Sequence, residues 1–499
     1  MNVYELFHDR FQRGADFLRT PDNEALYSYQ DLHRISAQYA NRFTELGLQK
    51  GDRVIVQTGK TPAFLFIYFA CLRAGLIFLP LNTAYRHDEL AYFAGNAEPS
   101  LIVCDPASET LFRDIVGSST ENQRCEILTL DINGEGSVIV DREATEFTPV
   151  DVNDDDVAVI LYTSGTTGQP KGAMITHGNL AANGLALHEA WGWQDGDVML
   201  HALPVFHIHG LFVATHLPVL NASPIIFLNS FDPTEVTRLL PHATVYMGVP
   251  TNYVRLLNHG GLSPEVCGKM RLFTSGSAPL LTQTFEAFTA ATGHEIVERY
   301  GMTETGMNTS NPLQGKRKPG TVGPVLPGVE ARVVDGEGRE LPDGETGGLE
   351  VRGANVFRGY WRMPEKTAEE FTPDGYFRTG DQARRDADGY ISIVGRSKDM
   401  IITGGLNVYP KEIESVIDKL PGVVESAVIG LPHPDFGEAV TAVVVREAEA
   451  SISEAEIITA LKNKLANFKV AKQVYFVGEL PRNTMGKVQK NILRDTYAG

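Results

Sequence analysis

Apolar side chains fall in short runs separated by stretches with helical spacing over most of the chain. Arg53–Gln57, Leu101–Cys104, Val157–Tyr162, Pro224–Leu228, Thr244–Met247 and Arg271–Thr274 are dense in β-branched, aromatic and aliphatic residues and read as buried strands. Tyr29–Leu46 and Pro233–Leu240 lie between such runs and carry the helical period. Alternation of this kind predicts α/β layers with parallel sheets, and ligands outside the carboxyl ends of the strands. From about Gly320 the texture changes. Gly320–Gly395 is rich in Gly, Pro and short β-type runs, among them Val329–Val334 and Gly348–Val351, which predicts a β-rich subdomain. Beyond Arg396, Pro410–Leu420 and Ser453–Leu465 read as helices and Val424–Ile429 and Val440–Val445 as strands. The pattern therefore divides the chain into a large domain, 1–395, whose part near 320–395 is β-rich, and a small α+β domain, 396–499, of about 100 residues.

Composition narrows the chemistry. With 499 residues the chain is too long for one compact core. Hydrophobic residues at 43% and charged residues at 21% are ordinary for a soluble globular protein. A formal charge of -18 argues against nucleic acid as a main partner, because phosphate backbones want a basic surface. It leaves room for a nucleotide, which a few local donors can hold. Cys71, Cys104, Cys125 and Cys267 have no CxxC spacing, so neither a zinc site nor a disulfide framework is indicated. No run of about 20 apolar residues predicts a membrane span. The opening MNVYELFHDRF lacks the features of a signal peptide, and the expectation is a cytoplasmic enzyme.

Directly behind the apolar run Val157–Leu161 comes Tyr162-Thr163-Ser164-Gly165-Thr166-Thr167-Gly168-Gln169-Pro170-Lys171-Gly172. The glycines admit backbone geometry closed to other residues and allow close approach to a ligand. Hydroxyls, backbone N–H groups and the Lys171 ammonium together suit a polyphosphate. The order Gln-Pro-Lys-Gly after Gly168 is not that of the common P-loop. A Ser/Thr/Gly run elsewhere would read as a linker, but linkers do not sit behind a buried strand and carry a lysine.

This string resembles the phosphate loop of the adenylate-forming superfamily of acyl-CoA synthetases, luciferase-like enzymes and peptide-synthetase adenylation domains. The resemblance runs over essentially the whole chain, because further motifs follow in order: Leu203-Pro204-Val205-Phe206-His207-Ile208-His209-Gly210, Ser275-Gly276-Ser277-Ala278-Pro279, Glu298-Arg299-Tyr300-Gly301-Met302-Thr303-Glu304, Tyr376-Phe377-Arg378-Thr379-Gly380-Asp381, Gly395-Arg396-Ser397-Lys398-Asp399 and Pro481-Arg482-Asn483-Thr484-Met485-Gly486-Lys487. The resemblance implies a role for each. Thr163, Ser164, Gly165, Thr166, Thr167, Gly168 and Lys171 hold the ATP phosphates. Gly276, Ser277, Ala278, Glu298, Arg299 and Tyr300 line adenine, with Tyr300 stacking on its flat face. Asp381 takes the paired ribose hydroxyls, and Arg396 also reaches the ribose. Thr303 bonds the α-phosphate, and Glu304, with Thr163, holds Mg²⁺, which prefers oxygen ligands. Lys487 is the catalytic lysine, stabilising charge on the attacking carboxylate and the transferring phosphorus oxygens. Lys398 is the hinge, where many relatives carry Asp.

The implied reaction has two halves. A carboxylate attacks the α-phosphorus of Mg-ATP, giving acyl-AMP and pyrophosphate; then a thiol, coenzyme A, attacks the acyl-AMP. Between them the small domain rotates, Lys487 withdraws, and the face around Gly404 and Gly405 lines the thiol tunnel. For the acid, TVYMGVPTNYVRLL, Thr244–Leu257, corresponds to the acyl-pocket wall. Arg255 there suits a second carboxylate, since a desolvated charge in a fatty pocket would be costly. His207 and Ser277 complete the acyl site. By overall likeness the chain is most similar to malonyl-CoA synthetases, so the expected acid is malonate, or methylmalonate. Rival readings are a ligase for another short-chain or aromatic acid, a degenerate nucleotide-binding module, and transfer to a protein thiol. A lysine acetyltransferase is a further expected partner, because acetylation would remove the Lys487 charge.

Overall fold

A computed structural model of the chain describes residues 1–11, 14–117, 125–138, 140, 143–163, 170–403, 406–433, 437–448, 450–465, 467–483 and 486–498. Its large part is built on two mixed sheets. The first has the order Glu126–Thr129, Leu101–Cys104, Arg53–Gln57, Ile77–Pro80, Val157–Thr163, Lys171–Thr176. Its pairings are parallel until the last, where Val157–Thr163 and Lys171–Thr176 run antiparallel. The reason is length. A parallel return needs a crossover of a dozen or more residues, and the connection between these strands is a short loop, which permits only a hairpin. Parallel pairing expected from the alternation therefore gives way at this edge.

The second sheet has the order Gly306–Ser310, Val297–Met302, Leu272–Ser275, Val245–Gly248, Met199–His201, Ile225–Phe227, Asp16–Arg19, Ala25–Ser28. It too is parallel inside and antiparallel at both edges. Against it packs the helix Pro62–Ala74, PAFLFIYFACLRA, buried from Phe64 to Ala74. A helix apolar on every face is one covered on every face. Its ends are set locally: the Thr61 side chain accepts from the Phe64 N–H, Pro62 supplies a helix-ready first residue, and Gly75 ends it in the left-handed region at φ 66°.

A four-stranded antiparallel sheet follows, Val329–Val334, Thr346–Gly353, Phe377–Arg385 and Ile391–Arg396 in that order. After a single 3-10 turn, Ser397–Asp399, the chain enters a five-stranded sheet whose centre is the long hairpin Val423–His433 with Gly437–Arg446. Helices Pro410–Ile417 and Glu454–Lys464 cover it, burying Ile413, Ile417, Ile457 and Leu461 in a core of its own. The chain thus has the mixed α/β class that its patterning predicts.

Candidate active site

Val157–Thr163, the last strand but one of its sheet, is buried from Ala158 to Leu161 and leads into the segment expected to hold phosphates. Thr163 and Lys171 are register partners across the hairpin, so the segment between them starts and ends at adjacent points. Ser164, Gly165, Thr166, Thr167 and Gly168 lie outside the described residues. The Lys171 ammonium stands 3.4 Å from the Glu370 carboxylate and 4.2 Å from the centre of the Tyr360 ring. The Tyr360 hydroxyl donates to Glu304 Oε1 at 3.0 Å, and Glu304 is only 6% exposed. One tyrosine therefore joins the loop's cation to the carboxylate expected to hold metal. Nothing local in the sequence singles out Tyr360, which stands three residues before Met363, the N-cap of the helix Pro364–Glu370.

Strand Val297–Met302 distributes three consecutive residues by simple alternation. Tyr300 reaches Asp381, its hydroxyl donating to Oδ2 at 2.5 Å. Glu298 turns toward the next layer, accepting the Leu280 N–H at 3.2 Å, while its second oxygen is buried without a partner among the described residues. Burial pushes Glu298 up to about 7, against the pull of the Leu280 N–H and of Lys411 on the small domain.

Arg299 goes to the opposite side and lies flat over Gly276, where even a methyl group would stand 2.4 Å from the guanidinium carbon. Gly276 is thus required by close approach. Arg299 is 3% exposed, has no carboxylate partner among the described residues, and leaves Nε and Nη2 unbonded. Burial brings its pKa down to about 9. A buried guanidinium with two idle donors is costly unless something anionic completes it.

Other idle polar atoms belong to the same neighbourhood. Ser277, next to Gly276, is held at φ 72°, a left-handed conformation unusual for serine. Its Oγ is 3.4 Å from His209 Nδ1, and His209 Nε2 is buried with no partner among the described residues. His207 Nε2 is likewise buried and unbonded. Burial, reinforced by the Lys487 charge, takes His207 down to about 4, so it is neutral at physiological pH. Burial, with Arg299 nearby, also holds His209 well below the ordinary histidine range.

Lys487 approaches from the small domain on a tight hairpin closed by the Arg482–Val488 bridge and by Lys487 N–H donating to Asn483 Oδ1 at 2.9 Å. Gly486, at φ 74°, leans toward Thr251, with 3.3 Å left between a would-be side chain and the threonine hydroxyl. Burial and Arg396 lower the Lys487 pKa, with Asp381 and Glu304 acting the other way. Lys487 retains surface accessible to water although protein surrounds it closely, and the charges of Arg396, Asp381 and Glu304 all reach it.

The remaining expected residues are placed as follows. Thr303 lines a mainly apolar cavity with Leu180, Leu187, Ile208 and Phe212. Ala278 is half-buried. Arg396 Nε pairs with Asp381 Oδ1 at 2.7 Å. Lys398 is exposed in the 3-10 turn between the sheets. Gly404 and Gly405 lie outside the described residues. Arg255 is exposed, on the stripe of helix Pro250–His259 that carries Thr251, while Asn252, Tyr253 and Leu256 fill the buried face. The buried arginine of this region is Arg299, two strands away in the sheet.

Comparison with known proteins agrees with this layout. Residues 10–361 match the family model "AMP-binding enzyme", and residues 412–487 match "AMP-binding enzyme C-terminal domain". A malonate–CoA ligase of Arabidopsis thaliana is 34% identical over 99% of this chain and 88% of its own length. A mitochondrial malonate–CoA ligase of Mus musculus is 36% identical over 97% of this chain and 89% of its own. Among solved structures, ATP-bound MatB from Rhodopseudomonas palustris superposes with a TM-score of 0.96 at 51% identity, covering 100% of this chain and 99% of that one. From a phosphate loop behind a buried strand to a lysine on a separate small domain, the chain belongs to the AMP-binding enzyme family.

Proposed function

We propose that the protein is an AMP-forming ligase that activates malonate with ATP and transfers the malonyl group to coenzyme A. Relatives of both kinds, the malonate–CoA ligases and MatB, support this reading, and Arg299 is the observation that carries the choice of acid. A short diacid brings one carboxylate to react and one to be held. The idle Nε and Nη2 of Arg299 form the two-pronged donor that a carboxylate accepts. Ser277 and His209 stand beside it, and Arg255, exposed on helix Pro250–His259, adds a second positive charge.

In the first half-reaction the free carboxylate attacks the α-phosphorus and pyrophosphate leaves. Positioning and charge neutralisation carry such a step without a protein nucleophile. Lys487, Thr303 and His207 surround the reacting centre; His207 is neutral and its Nε2 can donate to the acid. Tyr300, Gly276, Ser277, Ala278 and Glu298 line the adenine, whereas Arg299, expected among them, lies on the opposite side of the strand and is assigned here to the acid; Asp381 with Arg396 takes the ribose. Thr163, Ser164, Gly165, Thr166, Thr167, Gly168 and Lys171 take the phosphates. Glu304, one oxygen of which is fixed by Tyr360, and Thr163 are hard oxygen donors suited to Mg²⁺, which would neutralise phosphate charge. In the second half-reaction the small domain, 396–499, turns about Lys398, and the thiol sulfur forms the thioester as AMP leaves.

Among the described residues no helix is long and apolar enough to cross a membrane. All four cysteines are unpaired, which fits a reducing compartment such as the cytoplasm. The water-accessible Lys487 is also the residue a lysine acetyltransferase would silence. The apolar cavity beside Thr303 favours a second reading, a ligase for a short-chain or aromatic monoacid. Acid-dependent pyrophosphate exchange with malonate, methylmalonate, acetate, butyrate and benzoate, with and without coenzyme A, separates the two. Malonate is expected to lead by at least about 10²-fold in kcat/KM. A preference for a monoacid overturns the reading.

A further inference from the structure

Lys60 occupies a position where a lysine is expensive. It precedes the Thr61 cap of the buried helix Pro62–Ala74 and is 8% exposed. Among the described residues no carboxylate neutralises it. Its Nζ is 2.9 Å from His201 Nδ1 and 2.9 Å from the His201 carbonyl oxygen, and stands 4.4 Å from the centre of the Phe227 ring. Burial holds it well below the ordinary lysine range. Hydrocarbon would fill this space at far lower cost, so the hydrogen bonds are what the position retains.

The contacts continue in one direction. His201 is fully buried, and its Nε2 lies 2.9 Å from the Gly210 carbonyl oxygen. A carbonyl only accepts, so Nε2 carries the ring proton and Nδ1 is the acceptor for Lys60. The Thr215 hydroxyl donates to the same Gly210 oxygen at 2.9 Å. Gly210 sits in the π-helical turn His209–Val213, pressed so closely on Pro204 that a side chain would meet its carbonyl oxygen at 2.0 Å. Turns of this type recur at functional sites, where they re-aim side chains. Here the turn ends the segment that presents His207 and His209, both with an idle Nε2.

We propose that Lys60 is a positioning residue for the adenylation step: the chain Lys60–His201–Gly210 fixes the arm bearing His207 and His209 against the acid. The proposal rests on the reading of that arm as a wall of the acyl site. Lys60 acts through a neutral imidazole on a backbone carbonyl.

The test is a double-mutant cycle read by acid-dependent pyrophosphate exchange. Lys60→Met keeps the length and removes the donors. It should lower kcat by about 10–50-fold, since small misplacements of reacting groups carry penalties of this order, with the KM for ATP within about twofold. In a His207→Ala background the same change should cost less than about threefold, because the arm no longer has the group to position. Thr215→Val, which removes the other donor to Gly210, should show a smaller loss, about 3–10-fold, with the same non-additivity. It decides the question if Lys60→Met does not fold. Equal fold-losses in both backgrounds overturn the proposal, as does an unchanged kcat in folded Lys60→Met or Thr215→Val. If His207→Ala alone leaves exchange intact, the acyl-site reading falls first and takes the proposal with it.

Discussion

Asp381 and Arg396 face each other across adjacent strands, and their side chains complete the register with an ion pair of 2.7 Å. The other oxygen of Asp381 accepts from Tyr300, so both carboxylate oxygens are bonded within the protein. The strand that carries Arg396 runs on into Lys398, which ties this ion pair to the turn between the sheets.

Asp381→Asn should therefore weaken ATP binding by about 10–100-fold, as expected when a buried charge-assisted acceptor is lost. Tyr300→Phe keeps the flat ring and should cost only about threefold. Titration calorimetry with ATP reads both; equal affinities in the three proteins would contradict the ribose assignment.

Lys487→Ala should reduce adenylate formation by about 10²–10³-fold while thioester formation from supplied acyl-AMP survives. Equal loss of both half-reactions would sink the separation of roles. Burial and Arg396 lower the wild-type lysine's pKa, so adenylation should fall with rising pH before an ordinary lysine would lose its proton near 10.5. An alkaline limb at or above that value would contradict the placement.

Arg299→Met should lower kcat/KM for malonate by about 10²–10³-fold and narrow the gap between malonate and acetate, because the second carboxylate loses its buried partner. Arg255→Ala, at an exposed position, should cost less than about tenfold. A larger effect at Arg255 than at Arg299 would reverse the assignment.

Glu298 gives a signature in stability. Its folded pKa of about 7 lies above the usual 4.5, so the native state holds the proton more tightly. That contribution favours folding below the unfolded value and is lost as pH climbs to about 7. Glu298→Gln is neutral throughout, so its Tm relative to wild type should rise between pH 5 and pH 8. A difference that stays constant with pH refutes the burial of a titrating carboxyl.

The sequence reveals elements well where one local rule acts alone. Arg53–Gln57, Leu101–Cys104 and Val329–Val334 form strands with the bounds their apolar runs predict, because buried strands need little more than the run itself. It was blind where the deciding neighbour is remote. Nothing beside Arg299 announces that Gly276 will leave it a flat bed, or that no carboxylate among the described residues will reach it. Lys60 and His201 are 141 residues apart, and their hydrogen bonds arise only when the two sheets meet. Arg255 was the arginine visible in the right segment, but helical geometry turned it outward beside Thr251.

The contact between Gly486 and Thr251 makes the position of Lys487 a matter of clearance. A larger residue at 251 would act as a wedge: the small domain would keep its own core and hinge, but the lysine could no longer seat. The enzyme would then idle in its thioester-forming half, consuming supplied adenylate and making none. A single bulky side chain against the turn that carries the lysine would convert a two-step ligase into an acyl transferase.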